Sequence, residues 1–343
     1  LSLVVEQVVA QLNVDASAIL LLNPHSQVLT YASSSGFRSN TIQRTRLRLG
    51  ESCAGRAAYT RELVAIPDVR LEPEGQTLRA IVTGDDFKAY YGAPLIARGQ
   101  VKGVLEIFHR TELAPDEEWL NFLETLARQA AIAIDNASLF EDLQRSNLDL
   151  VMAYDATIEG WSRALDLRDR ETEGHTQRVA DMTEHLAVRM GMSEASLVHI
   201  RRGALLHDIG KMGIPDRILL KPTTLTEEEW VIMRRHPQLA YDMLHPIAYL
   251  RPAIDIPFCH HEKWDGTGYP NHLRGEDIPL AARIFALVDV WDALRSDRPY
   301  RRPWTDEQAL EYIHNQAGKH FDPMVVKAFD EIMLFEQRNL KQK

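Results

Sequence analysis

The sequence Leu205-Leu206-His207-Asp208-Ile209-Gly210-Lys211 places a histidine and an aspartate directly after an apolar run. An ionised carboxylate is rarely buried without a partner, and a metal ion is the usual one. Neighbouring residues of a helix diverge by about 100°, so His207 and Asp208 on a helix would reach different sides of one metal cluster. The stretch therefore predicts a metal site, provided that further donors come from elsewhere in the chain.

Further donors are concentrated in the same half of the chain, where eleven of the thirteen histidines follow residue 150. Each candidate alone has an ordinary explanation. An isolated histidine is more often a helix cap or a surface residue than a ligand, and a Glu–His pair spaced by four is commonly a solvated helix face. The eight candidate ligands are Glu171, His175, His207, Asp208, His236, His260, His261 and Asp289.

Eight donors exceed the roughly four that one metal ion usually takes, and they suit two or three ions that share bridging carboxylates. Glu171 and His175 would lie on one face of a helix, and Asp289 stands inside an apolar run. The set combines imidazole with carboxylate and contains no thiolate, which favours iron or manganese over structural zinc. We therefore expect two or three divalent metal ions per chain.

The donors lie within long motifs in the second half of the chain, where the sequence predicts an all-α structure. Strand signals disappear beyond residue 165, and Thr226-Glu227-Glu228-Glu229 is a capping box that begins a helix. Residues 150–335 resemble an HD-GYP domain, followed by a tail at 336–343. The resemblance rests on Leu205 to Lys211, on the loop from His260 to Pro270 with its Gly268-Tyr269-Pro270, and on Asp297-Arg298-Pro299-Tyr300-Arg301. The resemblance implies a metal-dependent phosphohydrolase that cleaves cyclic di-GMP, a bacterial second messenger. It also associates Glu171 with a form that holds three metals.

Five residues are candidates for catalysis or substrate binding. A two-metal site stabilises the attacking and leaving oxygens of a phosphodiester, so Asp208, as a bridging carboxylate, is predicted to be catalytic. Lys211 is also predicted to be catalytic: on a helix it would share the face of Asp208 and hold a phosphate oxygen, unless it is a solvated lysine. Tyr269 either stacks on a base or anchors its loop. By resemblance Arg298 and Arg301 contact a phosphate or a guanine, the alternative being surface salt bridges.

The first half predicts an α+β fold with an antiparallel sheet and flanking helices. Residues 1–13 form an amphipathic helical pattern, and two pairs of β-rich runs flank the turns at 23–26 and 97–100. Residues 50–57, 65–69 and 92–105 carry a resemblance to the GAF domain that covers residues 1–140. It implies a sensory or dimerising module, often with a small-molecule pocket, whose ligand the sequence leaves unidentified.

One long helix over residues 116–167 is predicted to connect the two domains. Proline is absent between residues 116 and 167, and apolar residues recur at spacings of three and four. Asn147 lies on the same seam, and one buried Asn in such a seam favours a parallel dimer in register. We expect a homodimer through this helix. The alternative is a helix that packs on its own domains.

Composition limits the number of domains and the classes of partner and cellular compartment. The 343 residues suit two domains, and the net charge of −10 is shared equally between residues 1–150 and the remainder, which argues against binding duplex nucleic acid. Cys53 and Cys259 form no paired framework, as expected in the bacterial cytoplasm. No apolar run is long enough for a membrane segment, no signal peptide is visible, and what precedes Leu1 is left open.

Two other functions remain compatible with the motifs. The chain could be a non-catalytic or weakly catalytic receptor for cyclic di-GMP, whose Gly-Tyr-Pro loop contacts a diguanylate cyclase. It could also be an HD hydrolase of another nucleotide. The complete donor set argues against the first alternative, and the Gly-Tyr-Pro loop argues against the second. The choice between pGpG and GMP as product, and the sign of regulation by the GAF domain, stay open.

Overall fold

The computed structural model describes residues 1–70, 78, 84–169, 174–297 and 302–340, with the backbone alone for 335–340. The chain divides into two compact units, residues 1–148 and 149–343, each with its own core. The first unit is an antiparallel sheet with helices, and the second is all-helical, which confirms the predicted fold class. The helices of the described residues include none that is long and apolar enough to cross a membrane.

The first unit is built on a six-stranded sheet in the order β3-β2-β1-β6-β5-β4. Both predicted hairpins are confirmed as antiparallel pairs, β1 with β2 and β5 with β6. One sheet face packs against α1 and the beginning of α3, and the other packs against α2. The elements are α1 (Ser2–Leu12), β1 (Ala16–Asn23), β2 (Val28–Ser35), β3 (Arg46–Arg48), α2 (Ser52–Thr60), β4 (Val64–Ile66), β5 (Ala89–Ala97), β6 (Gln100–His109) and α3 (Glu117–Asp169).

Helix α3 occupies the region predicted as the connecting helix, and it passes from the first unit into the second without interruption at Gly160. Apolar side chains on the predicted seam are exposed: Phe140 by 61%, Leu143 by 67%, Leu150 by 51% and Tyr154 by 44%. Such a stripe is left unburied in a single copy of the chain. The dimer itself stays a prediction.

The second unit surrounds helix α10, which is buried on most of its circumference, as expected for a helix that is apolar nearly all round. The predicted capping box at the start of α7 is confirmed, with Thr226 and Glu229 bonded reciprocally. The elements are α4 (His175–Arg189), α5 (Glu194–Leu205), a 3-10 turn (Ile209–Gly213), α6 (Asp216–Leu219), α7 (Glu227–Met233), α8 (His236–Leu244), α9 (Asp255–Cys259), α10 (Leu280–Arg295), α11 (Asp306–Gln316) and α12 (Pro323–Leu340).

Candidate metal centre

Seven of the eight predicted ligands converge in two groups within the second unit. One group is Asp208, His236, His260 and His261, and the other is His175, His207 and Asp289. Within each group the candidate ligand atoms all lie within 4.8 Å of one another. The eighth ligand, Glu171, lies outside the described residues, as do the predicted substrate contacts Arg298 and Arg301.

Asp208 connects the two groups through its two carboxylate oxygens. Oδ2 lies 3.0 Å from His207 Nε2. Oδ1 lies 3.3 Å from His236 Nε2 and 3.7 Å from His260 Nε2. A carboxylate with one oxygen toward each group has the arrangement that a bridge between two metal ions requires.

The donors come from the ends of helices and from one face of α10. His175 is the first residue of α4, His236 is the first residue of α8, and His260 and His261 follow the end of α9. Asp289 projects from the middle of α10. Helix ends bring several chain segments to one point, because the chain changes direction there.

One helix-based expectation about these donors is wrong. His207 and Asp208 lie in a turn after α5, which ends at Leu205, and not on a helix. Gly210 is required by space in the residues that follow, since a Cβ there would lie 1.9 Å from the His236 carbonyl oxygen. The expectation that Glu171 shares a helix face with His175 falls outside the described residues.

Hydrogen bonds at Nδ1 fix the orientation of four histidines whose Nε2 atoms face Asp208 or Asp289. His207 Nδ1 donates to the Ala204 carbonyl (2.8 Å), His236 Nδ1 to Met233 (2.9 Å) and His260 Nδ1 to Ile256 (3.1 Å). His175 Nδ1 donates to Asp292 Oδ2 (2.7 Å). In neutral imidazole the other nitrogen then carries the lone pair, so each Nε2 is set to bind a metal.

Asp292 is a functional candidate that sequence reasoning missed. Besides His175 it accepts hydrogen bonds from Arg178 Nε (2.8 Å) and Nη2 (2.9 Å). It stands three residues after Asp289 on α10, so the two carboxylates lie on neighbouring positions of one helix face. An aspartate repeated at this spacing within an apolar helix was the available signal.

The ionisation of the cluster suits metal binding. Burial lowers the pKa of His236 to about 4, and burial with the neighbouring His260 holds the pKa of His261 well below its usual value, so both imidazoles are neutral. Burial alone would raise the pKa of Asp208, but Lys211 and His207 outweigh it and hold that pKa well below the usual range. Neutral imidazole and ionised carboxylate are the ligand forms.

The surroundings of one atom fit a metal ion. Asp208 Oδ1 is buried and has no hydrogen-bond partner within the described part of the chain. Its close neighbours His236 and His260 use their Nδ1 protons elsewhere and turn Nε2 toward it. Buried lone pairs that face one another without a proton between them are costly, and a cation removes that cost.

A cavity of about 430 Å³ opens over the donors. Lys211 lines it, and its Nζ lies 2.7 Å from Asp208 Oδ2 and 3.1 Å from Asp169 Oδ2. Lys211 is therefore held by two carboxylates, and Asp169 is a second contact that sequence reasoning missed. Tyr269 also lines the cavity and stacks on His261 with ring centroids 4.7 Å apart.

The Gly-Tyr-Pro loop is held by Glu262, whose carboxylate accepts from the backbone N–H groups of Asn271 (2.7 Å) and Leu273 (3.1 Å). Gly268 is required by space, since a Cβ there would lie 2.3 Å from the Lys263 nitrogen. The loop is thus fixed in a form that places Tyr269 against a candidate ligand. This geometry agrees with the anchoring alternative for Tyr269.

Comparison with known proteins matches each unit to a family. Residues 1–134 match the GAF domain and residues 160–325 match an HD domain. The chain is 39% identical over 254 residues to 3'3'-cGAMP-specific phosphodiesterase 2 of Vibrio cholerae, which covers 74% of this chain and 47% of the relative. It is 39% identical over 210 residues to the cyclic di-GMP phosphodiesterase response regulator RpfG of Xanthomonas campestris, covering 61% and 56%.

A third relative is a cyclic di-GMP phosphodiesterase of Thermotoga maritima, 45% identical over 168 residues, which are 48% of this chain and 45% of the relative. The chain spans about half the length of the curated relatives it matches.

Proposed function

Because the chain consists of a GAF domain followed by an HD domain of the HD-GYP type, we propose that it is a metal-dependent phosphodiesterase that hydrolyses cyclic di-GMP in the bacterial cytoplasm. The observation that carries the proposal is the pair of donor groups joined by the two oxygens of Asp208. A pair of metal ions held this way would polarise the phosphodiester and stabilise both the attacking and the leaving oxygen.

The two groups would each hold one ion, with Asp208 shared between them. Imidazole and carboxylate donors without thiolate favour iron or manganese. A third ion would depend on Glu171. These numbers and identities are proposals that rest on donor chemistry.

The remaining residues would bind and orient the substrate. Lys211 points its ammonium group into the cavity from a position fixed by Asp169 and Asp208, so it would hold a non-bridging phosphate oxygen. Arg168 supports this segment by donating to the carbonyls of Met212 (2.8 Å) and Ile214 (2.9 Å). Arg298 and Arg301 would bind the second phosphate or a guanine by analogy with the motif.

The closely related substrate 3'3'-cGAMP is a second candidate, since relatives named for its hydrolysis also match this chain. Both dinucleotides contain the phosphodiester that the metal site requires. Hydrolysis yields pGpG, GMP or the corresponding mixed products. Binding without turnover remains the competing receptor function, in which the Gly-Tyr-Pro loop would contact a diguanylate cyclase.

We further propose that the chain acts as a homodimer through the exposed seam of α3. Phe140, Leu143 and Leu150 leave more than half of their surface in water. A second copy in register would bury them and place Asn147 opposite its counterpart. Occupancy of the GAF domain by a small molecule would then act on the HD domain through this helix.

The decisive experiment is anaerobic purification with iron and manganese supplied, followed by metal quantification and turnover of cyclic di-GMP, 3'3'-cGAMP, a guanosine tetraphosphate and dGTP. We expect more than one metal per chain and hydrolysis of a cyclic dinucleotide. Asp208→Ala should lose both, whereas the control Asp306→Ala, which removes an exposed partner of Arg295, should keep both. At most one metal in the wild type would overturn the shared site, and bound metal without turnover would support the receptor function.

The third ion has its own test. Glu171→Ala should lower the metal content while leaving the two ions held by the described donors. Unchanged metal content in this variant would show that Glu171 is not a ligand.

A further inference from the structure

Two side chains on the rim of the metal cavity have no part in the mechanism above. Trp230 of α7 lines the same cavity as Lys211 and Tyr269. The guanidinium carbon of Arg234, just after α7, lies 5.6 Å from the ring centroid of Trp230 and 6.0 Å from that of Tyr269. The three side chains form one wall of two aromatic rings with a cation between them.

Part of this wall is open to solvent. Trp230 is 38% exposed and Arg234 is exposed. In the portion of the chain that the structure describes, no carboxylate lies within 4.0 Å of the Arg234 guanidinium. Tyr269, by contrast, already stacks on His261. A large aromatic face and a planar cation are therefore available at the cavity.

The wall is also held in register with the metal donors. The carbonyl of Met233, the residue before Arg234, accepts the hydrogen bond from His236 Nδ1 (2.9 Å). The side chain of Met233 itself lines the cavity. A group bound at Trp230 and Arg234 is thereby placed at a defined distance from a phosphate bound at the donor groups.

The chemistry of the wall fits a guanine. Aromatic faces stack on bases of any kind, and such stacking contributes about 1–3 kcal/mol per base. The arginine fork pairs with the O6 and N7 acceptors of guanine, whereas adenine presents an amino donor at the position of O6. Stacking would thus provide affinity, and Arg234 would provide discrimination.

We propose that Trp230 and Arg234 form the site for one guanine base of the substrate, and that Arg234 determines base specificity. The proposal rests on the proposed function only in taking a cyclic dinucleotide as the ligand. Cyclic di-GMP and 3'3'-cGAMP each supply a guanine, and cyclic di-AMP supplies none. The chain should therefore accept the first two and reject the third.

The test compares wild type with Arg234→Gln, Arg234→Lys and Trp230→Ala. Arg235→Gln is the matched control, since it removes the same charge from the neighbouring exposed residue. For each protein in its metal-loaded form, Kd and kcat/KM are measured with the three dinucleotides, and kcat/KM is measured with bis(p-nitrophenyl) phosphate, which has no base.

Both Arg234 variants should lower the preference for cyclic di-GMP over cyclic di-AMP by about ten- to a hundredfold, because lysine lacks the fork. Trp230→Ala should raise Kd for all three dinucleotides by about tenfold. Arg235→Gln should match the wild type. For each variant, kcat/KM with a dinucleotide is divided by kcat/KM with the base-free ester. This ratio separates damage to the metal site from loss of base recognition.

The outcomes for the two proposals are distinct. Suppose that the wild type hydrolyses cyclic di-GMP and that Arg234→Gln or Arg234→Lys keeps the full preference for cyclic di-GMP over cyclic di-AMP. This result would overturn the guanine site and leave the proposed activity standing. Selective binding of guanine dinucleotides that is lost in Arg234→Gln, without turnover in the wild type, would support the guanine site and overturn the activity. A wild type that binds no dinucleotide would overturn both.

Discussion

Replacing Asp292 by asparagine should weaken one metal site and leave its neighbour intact. The Asp292 side chain is 14% exposed and that of His175 is 3% exposed, so water replaces little of what is lost. Its Oδ2 accepts from His175 (2.7 Å) and from Arg178 Nη2 (2.9 Å), and its Oδ1 accepts from Arg178 Nε (2.8 Å). An amide has a single acceptor oxygen, so in asparagine one of these two positions turns an N–H group toward a donor.

The size of the loss in metal affinity depends on which donor loses its hydrogen-bond acceptor. If the amide oxygen takes the Oδ1 position beside Arg178 Nε, the amide nitrogen meets His175 Nδ1, and the imidazole is driven to turn or to change tautomer. Loss of such a supporting contact behind a metal-bound histidine costs about 10–100-fold in metal affinity. This corresponds to about 1.4–2.8 kcal/mol. The group of His236, His260 and His261 makes no contact with Asp292 and should keep its affinity.

The measurement is a Mn²⁺ titration of the metal-free full chain, with free Mn²⁺ followed by electron paramagnetic resonance. Asp306→Asn is the control, because it makes the same chemical change in an exposed ion pair with Arg295. We expect one weakened site and one unchanged site in Asp292→Asn, and two unchanged sites in the control. If each site binds Mn²⁺ with the same affinity in Asp292→Asn as in the wild type, the role given to this carboxylate is refuted.

Three further predictions concern the turn, the GAF core and the connecting helix. Gly210→Ala would bring a Cβ to 1.9 Å from the His236 carbonyl oxygen, so it should displace α8 and reduce both metal retention and the thermal midpoint. Glu106 is 2% exposed, burial raises its pKa to about 7, and the folded state therefore binds its proton more tightly than the unfolded state. The contribution of Glu106 to the free energy of unfolding should fall by about 3 kcal/mol between pH 4.5 and 7, and Glu106→Gln should abolish this contribution in hydrogen exchange of β5 and β6. Asn147→Leu should tighten the dimer and alter basal hydrolysis, as measured by sedimentation equilibrium and turnover; a monomeric wild type would contradict it.

The positions of the donors could be predicted from sequence because they lie in long motifs with several donors each. Seven of the eight converge as expected. Their local conformation was not predictable from spacing alone. Residues His207 to Lys211 have a helical spacing, yet α5 ends at Leu205, and α8 approaches the backbone closely at Gly210. This contact joins segments distant in sequence, and no periodicity contains that information.

The supporting contacts were missed for a related reason. Asp169 has no distinguishing signal in the sequence, and Asp292 has only its spacing from Asp289; the fold brings them to Lys211 and His175. The hairpins of the GAF domain were predictable because their turns are local. Contacts that join distant segments need the assembled core, whose shape depends on all of the helices together.

The histidine orientations show how helix ends and metal binding are linked. The last four carbonyls of a helix lack partners within the helix. Ala204 and Met233 are such residues, at the ends of α5 and α7, and their carbonyls accept Nδ1 protons from histidines three residues later. Ile256 in α9 does the same for His260, four residues later. At Met233 one hydrogen bond therefore both satisfies a helix terminus and fixes an imidazole. The Ala204 and Ile256 carbonyls accept the Nδ1 proton in addition to the backbone N–H of His207 (3.4 Å) and of His260 (3.0 Å). Because carbonyls belong to every residue, these bonds have no signature in the sequence, and the precision of the metal site depends on where three helices end.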